Sequence, residues 1–371
     1  MQKNLAIIGA SYFQLPLIEK AKEMGYITHV FAWAANDVGE SVADYFYPIS
    51  IIEKEEILKK CEEIGICGIC SIASDLAMVT VNYVAQSLGL NSNSVEATKV
   101  STNKHLMRKA FEERNDPSPK SVLVDENSDV DNLEIEFPVI VKPTDRSGSR
   151  GIFKAESREQ LSAAVRHAIE CSFEKKALVE EFVQGTEYSV EFISYKGQHH
   201  YLTTTLKYTT GAPNFIETGH RQPAPIDKDT EDRIKRVISH ALDTLSLENG
   251  ASHSEIKIDD DGKIKLIEIG GRMGGDCIGS DLVPCSTGYD FVRMVIEVAC
   301  DIPPSFEKVC EPQSVESVFI FSKEDLMELE RIKAEEPDSL IRIADLSVDK
   351  IGTTTDSSNR AGCYIKKFKG V

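Results

Sequence analysis

The chain has 371 residues, too many for one compact core, so we expect two or three domains. Hydrophobic residues make up 41% and charged residues 27% of the chain, as in ordinary globular proteins, which excludes a largely disordered chain. The formal net charge of −18 argues against a nucleic-acid partner, because phosphate backbones attract basic surfaces.

The sequence predicts a cytoplasmic protein with reduced thiols. It enters an apolar strand at once, without the long apolar stretch and small-residue cleavage site of a signal peptide. No apolar run approaches the length that spans a bilayer, so we expect no membrane partner. Nine cysteines, an odd number spread over a long chain, indicate free thiols rather than a disulfide framework.

The first hundred residues alternate between apolar strands and amphipathic helices. The strands cover 4–9, 27–31 and 68–72, and the helices cover 16–24, 53–64 and 76–88. This alternation is typical of βαβ units and predicts a small parallel-sheet domain. The loop 9–14 lacks the second and third glycines of a dinucleotide fingerprint, so a small-molecule contact at this strand end is favoured over NAD binding.

The next feature is a phosphate-type loop at 145–151. A short strand at 137–143 delivers Lys142 at its end, and the loop that follows contains serines, glycines and two arginines. Backbone N–H groups of such loops can cradle phosphates. The loop has no GK[ST] and is therefore not a Walker A loop, but the preceding lysine makes a phosphate site the better interpretation.

A strand–turn–strand stretch at 177–192 comes after a helix at 157–171. The backbone at 181–183 can face an adenine edge and Glu187 can accept from ribose hydroxyls, although a hairpin with solvated acids fits the residues alone. Beyond it, residues 211–221 are long enough to form a mobile lid or a substrate-binding loop.

The hairpin at 252–269 is the feature on which the interpretation depends. If Asp261 and Gly262 form a two-residue turn, Glu255 lies directly across from Glu268. Two opposed carboxylates repel each other, so a sheet keeps such a pair where a positive charge lies between them. Oxygen ligands suit Mg²⁺, which takes one or two carboxylates together with substrate phosphates.

Two alternatives to a metal site remain for this hairpin. The glutamates can be solvated side chains on an exposed hairpin, and a three-residue turn would break the predicted pairing. The glycine-rich run 270–275 supports a ligand site, because its backbone can approach a ligand closely and Arg272 can hold an anion. After two prolines at 303–304, strands at 311–321, 341–346 and 363–368 with a helix at 323–333 predict a small C-terminal α+β unit.

Taken in order, these elements resemble the ATP-grasp superfamily, in particular its biotin-carboxylase-like and L-amino-acid-ligase-like branch. The residues that carry the resemblance are Asn103-Lys104-His105, Val141-Lys142-Pro143, the Ser/Gly loop, the run 179–187, and Glu255 and Glu268 with Arg272. The resemblance implies a mixed α/β and α+β fold. Its parts would be a Rossmann-like domain at 1–102, an ATP-grasp domain at 103–304 with a mobile lid roughly at 138–182, and a C-terminal domain at 305–371.

The same resemblance implies a nucleotide site for ATP. The residues that it assigns to ATP are Lys104, Lys142, Ser147, Gly148, Ser149, Gly151, Glu180, Glu181, Phe182, Val183 and Glu187. The two lysines would contact the phosphates, and residues 147–151 would close over them. Glu180 would meet the adenine amino group, the backbone of 181–183 the adenine ring, and Glu187 the ribose.

The resemblance also implies the metal and substrate residues. Glu255 and Glu268 would hold Mg²⁺, or Mn²⁺ in its place. Gly270 stands where many members carry a third ligand, Asn, so the metal would rest on these two carboxylates together with phosphate and water. Arg272 would bind the reacting carboxyl group or the acyl-phosphate. The remaining candidates are Lys142 for catalysis, Asp276 as the acceptor of the amine's proton, and Glu217, His220, Gly274 and Gly275 for substrate binding.

The implied function is an ATP-dependent carboxylate–amine ligase for amino acids or similar small metabolites. A carboxylate attacks the γ-phosphate to give an acyl-phosphate and ADP, and an amine then displaces phosphate to form an amide or peptide bond. Bringing two unit negative charges to 4 Å costs on the order of 4 kcal/mol at an effective dielectric of 20, which the lysines, Arg272 and the metal would offset. Homodimers are common in this branch.

Three other functions stay open at this point. A bicarbonate-using carboxylase or carbamoyl-phosphate-type enzyme shares the ATP chemistry, although the Gly-Gly-Asp after Arg272 departs from the carboxylase pattern. An NAD-linked oxidoreductase would use the N-terminal domain. A nucleotide-binding protein without catalysis is the third.

Overall fold

The structure, a computed structural model, describes residues 3–146, 150–212, 215–353 and 360–368. Within these ranges the chain forms three β-sheets with helices packed on them. Ser147, Gly148 and Ser149 lie outside the described residues, so their predicted role is not addressed by the structure. In the described part of the chain, no helix combines the length and the apolar character that crossing a membrane requires.

The N-terminal part is a four-stranded parallel sheet in the order β3-β2-β1-β4. Its strands are β1 (Asn4–Ile8), β2 (Ile27–Phe31), β3 (Tyr45–Tyr47) and β4 (Gly68–Cys70), and its helices are α1 (Leu15–Glu23), α2 (Val38–Val42), α3 (Lys54–Ile64), α4 (Asp75–Leu88) and α5 (Val95–Thr102). The predicted parallel sheet is confirmed. Helix α5 was not predicted from the sequence. The Ser94 hydroxyl accepts from the Ala97 N–H and so caps the start of this helix.

A second, antiparallel sheet has the order β5-β8-β6-β7. It contains most of the segment predicted to be a lid, and we call it the lid. Its strands are β5 (Ser121–Asp125), β6 (Val139–Pro143), β7 (Phe153–Ala155) and β8 (Lys176–Glu181), and α7 (Arg158–Cys171) covers one face. The preceding helix α6 (Lys104–Arg114) starts at Asn103, whose side chain accepts from the N–H groups of residues 105 and 106. This cap fixes Lys104 at the first turn of the helix.

The largest sheet has eight strands in the order β13-β12-β9-β10-β11-β14-β16-β15. The strands are β9 (Thr186–Tyr195), β10 (Gln198–Thr209), β11 (Glu217–Gln222), β12 (Gly250–Ile258), β13 (Ile264–Gly270), β14 (Val315–Phe319), β15 (Leu340–Ala344) and β16 (Cys363–Lys367). The helices of this part are α8 (Lys228–Thr244), α9 (Val283–Thr287), α10 (Phe291–Ala299) and α11 (Lys323–Glu335). The predicted C-terminal strands are thus paired to the central sheet through β11 and β14. The predicted domain bounds stay predictions.

The hairpin of β12 and β13 pairs Glu255 with Glu268, as predicted, although its turn differs from the prediction. Ile258 pairs with Ile264, which leaves a three-residue turn at 260–262 beyond the 259–263 pair. That turn alone would shift the register by one residue. A β-bulge between Glu255 and Ile256 restores it, because Ile267 is an extra residue in β13. The predicted two-residue turn is therefore wrong, and the predicted carboxylate pair is confirmed.

Candidate active site

A cleft between the lid and the eight-stranded sheet collects most of the candidate residues. It encloses about 1070 Å³, open mouth included, which matches the upper end of the range for small-molecule sites. The residues named from the sequence that line it are Lys104, Lys142, Glu180, Glu181, Phe182, Val183, Glu187, Glu217, Glu255, Glu268 and Arg272. Gly151 is packed elsewhere in the lid, since a Cβ on it would lie 2.9 Å from Pro143 and from Cys171.

Each carboxylate of the central hairpin pair is held by a lysine. Lys104 Nζ lies 2.7 Å from Oε1 of Glu268, and Lys207 Nζ lies 2.8 Å from Oε1 of Glu255. Both lysine side chains are buried, at 7% and 3% exposure, whereas each glutamate is 27% exposed toward the cleft. The positive charge that the opposed acids require is therefore supplied by protein side chains in this structure.

Lys207 is a hub for three carboxylates. Its Nζ lies 2.8 Å from Glu187 and 3.7 Å from Glu217, in addition to the contact with Glu255. Burial lowers the pKa of Lys207, but these carboxylates outweigh burial and raise that pKa well above its ordinary value. In the same way burial raises the pKa of Glu255, while Lys207 brings it well below its ordinary value. Lys207 and Glu255 are therefore both charged at neutral pH.

Lys142 and Glu180, predicted to contact different parts of ATP, are paired with each other. Lys142 Nζ lies 2.6 Å from Oε2 of Glu180, and Arg108 Nε lies 2.9 Å from its Oε1. All three side chains are buried. Burial lowers the pKa of Lys142. Burial raises the pKa of Glu180, but Arg108 and Lys142 outweigh it and lower that pKa. Arg108 also donates to the bulge carbonyl of Ile267 at 2.5 Å, which links the lid to the hairpin.

The connection from the lid to the central sheet runs through residues 181–187. Lys257 donates to the Val183 carbonyl at 3.3 Å, and its Nζ lies 5.4 Å from the centre of the Phe182 ring. Glu181 is half-exposed, and its Oε2 accepts from the backbone N–H of Lys120 at 3.3 Å. Gly185 has φ +118°, and a Cβ there would lie 2.3 Å from the Ile258 carbonyl oxygen. This connection at 181–187, which we call the hinge, is therefore packed directly onto the hairpin of β12 and β13.

Arg272 faces the cleft beside a buried acid–histidine pair. Glu191 forms an ion pair with Nδ1 of His253, and its other oxygen accepts from the Gly274 N–H at 3.0 Å. Burial lowers the pKa of His253, but Glu191 outweighs burial and raises it to about 9. The Gly274 N–H is thus already used within the protein and is not available to a ligand in this arrangement.

Asp276, the candidate proton acceptor, pairs with an arginine from the C-terminal part. Its Oδ1 lies 2.6 Å from Nη2 of Arg360, and Arg360 Nη1 lies 3.8 Å from Oε2 of Glu217. Gly275 comes just before Asp276 and packs against Ala73. A Cβ built on Gly275 would lie 3.5 Å from the Cβ of Ala73. Asp276 would therefore have to leave an ion pair in order to accept a proton.

His220 is a buried neutral histidine next to this group. Both ring nitrogens are buried and have no hydrogen-bond partner among the described residues. Burial, reinforced by Lys207, lowers the pKa of His220 to about 3. The ring stands edge-on to Phe319, with centroids 5.4 Å apart. A ligand that reaches this ring would meet a neutral imidazole.

Several charged residues of the site were not identified from the sequence. They are Asp75, Arg108, Glu191, Lys207, His253 and Arg360. His253 could have been identified from the sequence, because residues two apart in a strand lie on the same face and His253 precedes Glu255 by two. The partners of the others lie far away in sequence or on strands whose order the sequence does not reveal.

The donor set suits a hard cation that also takes ligands from a substrate. Among the described residues there is no cluster of three or more histidine, cysteine or acidic side chains that could hold a metal ion. Two carboxylates that line a cleft and face one another fit Mg²⁺, which commonly binds through one or two carboxylates plus phosphates. The described residues therefore do not form a site in which protein side chains alone surround a metal ion.

Comparisons with known proteins agree with this geometry. Residues 135–281 match the family model of the ATP-grasp domain. The chain is 28% identical over 300 residues to alanine–anticapsin ligase of Bacillus subtilis; the match covers 71% of this chain and 63% of that relative's length. It is 28% identical over 181 residues to D-alanine–D-alanine ligase B of Pseudomonas syringae pv. tomato, covering 45% and 53% of the two chains.

A solved structure extends the likeness of fold to the whole chain. The crystal structure of L-amino acid ligase from Bacillus licheniformis superposes with a TM-score of 0.83 at 21% identity, covering 100% of this chain and 94% of that one. The mixed fold expected from the sequence, with an N-terminal parallel sheet and a large antiparallel sheet, is confirmed.

Proposed function

We propose that this chain, which contains an ATP-grasp domain, is an ATP-dependent carboxylate–amine ligase. It would join amino acids or similar small metabolites through an acyl-phosphate, with release of ADP and phosphate. One observation carries the proposal: Glu255 and Glu268 oppose each other at the wall of a cleft that Lys142 and Arg272 also line. That arrangement can neutralise and orient two anionic substrates at once.

The nucleotide would lie along the lid in this proposal. Lys104 and Lys142 would contact phosphates, residues 147–151 would close over them, and Glu187 would accept from the ribose. Adenine would lie against the hinge 181–183, near Glu180. The pairing of Lys142 with Glu180 gives these two residues a second task, since each holds the other in place for the nucleotide.

The charge balance supports phosphoryl transfer. Mg²⁺ held by Glu255 and Glu268 would neutralise phosphate charge, together with the lysines that now pair with those acids. Positioning and electrostatics supply most of the catalysis in phosphoryl transfer, so the chain needs no covalent nucleophile. Lys142 would contribute to this stabilisation from the lid.

Arg272 would hold the reacting carboxyl group at the other end of the cleft. Glu217, His220, Gly274 and Gly275 would shape the substrate side, Gly274 through its link to Glu191. Asp276 would accept the amine's proton only when its pair with Arg360 opens. The wall at Lys207 and Glu217 is polar and charged, which favours substrates with charged groups such as amino acids.

The experiment is a screen of amino-acid pairs with Mg·ATP for release of ADP. We expect ADP and phosphate in equal amounts, dependent on both an acid and an amine. AMP and pyrophosphate as products, or ADP formation that depends on bicarbonate alone, would contradict the proposal.

A variant tests the metal assignment within the same assay. Glu268→Gln is expected to abolish turnover, because the metal cation loses a ligand. It should also lower stability, because the buried Lys104 loses the carboxylate with which it pairs. Asp261→Asn on the exposed tip of the same hairpin is the matched control and should keep full activity. Retained activity of Glu268→Gln at saturating Mg²⁺ would contradict the metal role.

A further inference from the structure

One acid of the N-terminal part of the chain reaches Arg272, which lines the cleft. Asp75 is the first residue of α4, and its place is fixed by Ser74, whose hydroxyl accepts from the Ala77 N–H at 3.2 Å. Oδ1 of Asp75 lies 3.1 Å from Nε of Arg272, and Oδ2 lies 3.2 Å from Nη2. A carboxylate that accepts two parallel bonds fixes the plane of a guanidinium as well as its position.

Gly270 leaves the space that Asp75 occupies. A Cβ built on Gly270 would lie 2.7 Å from Oδ1 of Asp75 and 3.3 Å from Nε of Arg272. The first distance is too short for any real side chain, so a residue other than glycine would displace the carboxylate. The backbone requires no positive φ here, and the absence of a side chain is explained by the acid that faces it.

A second link joins the same two segments. The Ala73 N–H donates to the Met273 carbonyl at 3.2 Å, next to the Asp75–Arg272 pair. The segment 73–75, which follows β4, therefore contacts both Arg272 and the residue after it. The N-terminal part of the chain thus packs directly against the segment that carries Arg272.

Three of the five N–H groups of the Arg272 guanidinium are bonded within the protein, and two remain for a ligand. Asp75 takes the N–H of Nε and one N–H of Nη2, and the Met273 carbonyl takes one N–H of Nη1 at 3.3 Å. One N–H on each terminal nitrogen then has no acceptor among the described residues. Those two groups can donate to an anion in the cleft.

We propose that Asp75 is a positioning residue that aims Arg272 at the anionic substrate, and that position 270 is glycine in order to admit it. Burial raises the pKa of Asp75, but Arg272 lowers it below its ordinary value, so the acid is ionised at neutral pH. The identity of the anion as a substrate carboxyl or acyl-phosphate rests on the proposed function, whereas the fit of Asp75 against Gly270 does not.

The first test is kinetic and uses Asp75→Asn, which keeps the size of the side chain and removes its charge. With the amino-acid pair found in the ADP-release screen, we expect kcat/KM for the acid to fall by about tenfold or more, because Arg272 is no longer fixed. KM for ATP should stay within about twofold, since other residues hold the nucleotide.

A control separates positioning from a general loss of structure. Asp44→Asn removes another ion-paired acid of the N-terminal sheet, which contacts Lys22 and Thr28 and none of the cleft residues. It should leave both kinetic constants unchanged. Asp75→Asn with unchanged kinetics, or with a rise in KM for ATP as large as the loss for the acid, would overturn the proposal.

The second test needs no substrate. Gly270→Ala is expected to lower the melting temperature in the native background and to have little effect in an Asp75→Ala background, because the space is then free. Additive effects of the two changes would overturn the inference. If the screen yields no ADP, the proposed function fails, while this coupling still decides whether Asp75 and Gly270 depend on one another.

Discussion

The ammonium of Lys207 lies 2.8 Å from Oε1 of Glu255, although the two residues are 48 positions apart and stand on strands that are not neighbours in the sheet. Strand β9 runs between them and contributes Glu187 to the same ammonium. A buried cation thus spans three strands at the wall of the cleft. Of the two acids that would bind a metal, Glu255 is held by this cation and Glu268 is held by Lys104.

Replacing Lys207 by Met should destabilise the protein strongly. The change keeps an unbranched side chain, one heavy atom shorter, but leaves three carboxylates without their common cation. Breaking a buried ion pair typically costs ~3–5 kcal/mol. Urea unfolding measures the loss. Added Mg²⁺ should raise the midpoint of the variant more than that of the native protein, because the cation then replaces the missing charge at Glu255.

The matched control for this change is Lys228→Met. Lys228 also pairs with two acids, but its side chain is 71% exposed, so solvent screens these pairs and the expected change in stability is small. Equal effects of the two substitutions would contradict the central role given to Lys207.

Glu180→Gln should destabilise the lid and its contact with the hairpin. The substitution leaves Arg108 and Lys142 buried without a carboxylate, at an expected cost of ~3–5 kcal/mol in urea unfolding. Glu181→Gln, one residue later and half-exposed, should change stability by less than about 1 kcal/mol. A small effect at Glu180 would mean that water or rearrangement compensates the two cations.

Gly185→Ala should weaken both the fold and nucleotide binding. A Cβ at this hinge would lie 2.3 Å from the Ile258 carbonyl, so the hinge or the hairpin has to move. Gly197→Ala is the control, because Gly197 also has a positive φ but has open space around its Cβ position. We expect Gly185→Ala to be less stable than the control by roughly 1–3 kcal/mol and to bind ADP more weakly. Equal stability of the two variants would contradict the close contact.

His220→Asn should remove a pH dependence of stability. In the folded protein burial and Lys207 lower the pKa of His220 to about 3, so only the unfolded chain takes up a proton below its ordinary pKa near 6.5. The unfolded state then binds more protons, and stability falls as the pH decreases from 7 to 5, by about 2 kcal/mol from this group.

The measurement is urea unfolding at pH 7 and pH 5. The difference between the two values should be smaller in His220→Asn than in the native protein by about that amount. His167→Asn, at an exposed position on α7, should leave the difference unchanged. An unchanged difference in His220→Asn would show that His220 takes up a proton in the folded state.

The sequence was sufficient for most of the predicted elements and for the carboxylate pair, because both depend on local patterns. A two-residue turn at Asp261 and Gly262 predicted Glu255 opposite Glu268, and that pair is confirmed although the turn is wrong. A longer turn and the bulge at Ile267 each shift the register by one, and their effects cancel. The bulge has no local signal, since its carbonyl is held by Arg108 from a distant helix.

Residues that act through long-range partners could not be predicted. Asp75 and Arg272 are 197 positions apart, and Arg360 meets Asp276 across 84 positions. Pairings of this kind depend on how the sheets dock and on the order of the strands, neither of which leaves a periodic trace in the sequence. Helix α5 was missed for a different reason, because its polar composition hides a capped helix.

The order of strands in the large sheet has a consequence for folding. Strand β16 follows β15 in the chain but lies between β14 and β15, and it is the only strand with which β15 pairs among the described residues. Until residues 363–367 dock on β14, β15 is therefore an unpaired strand with an edge that can pair with other chains. A chain that lacks residues 363–367 would keep that edge open and give a lower yield of native protein.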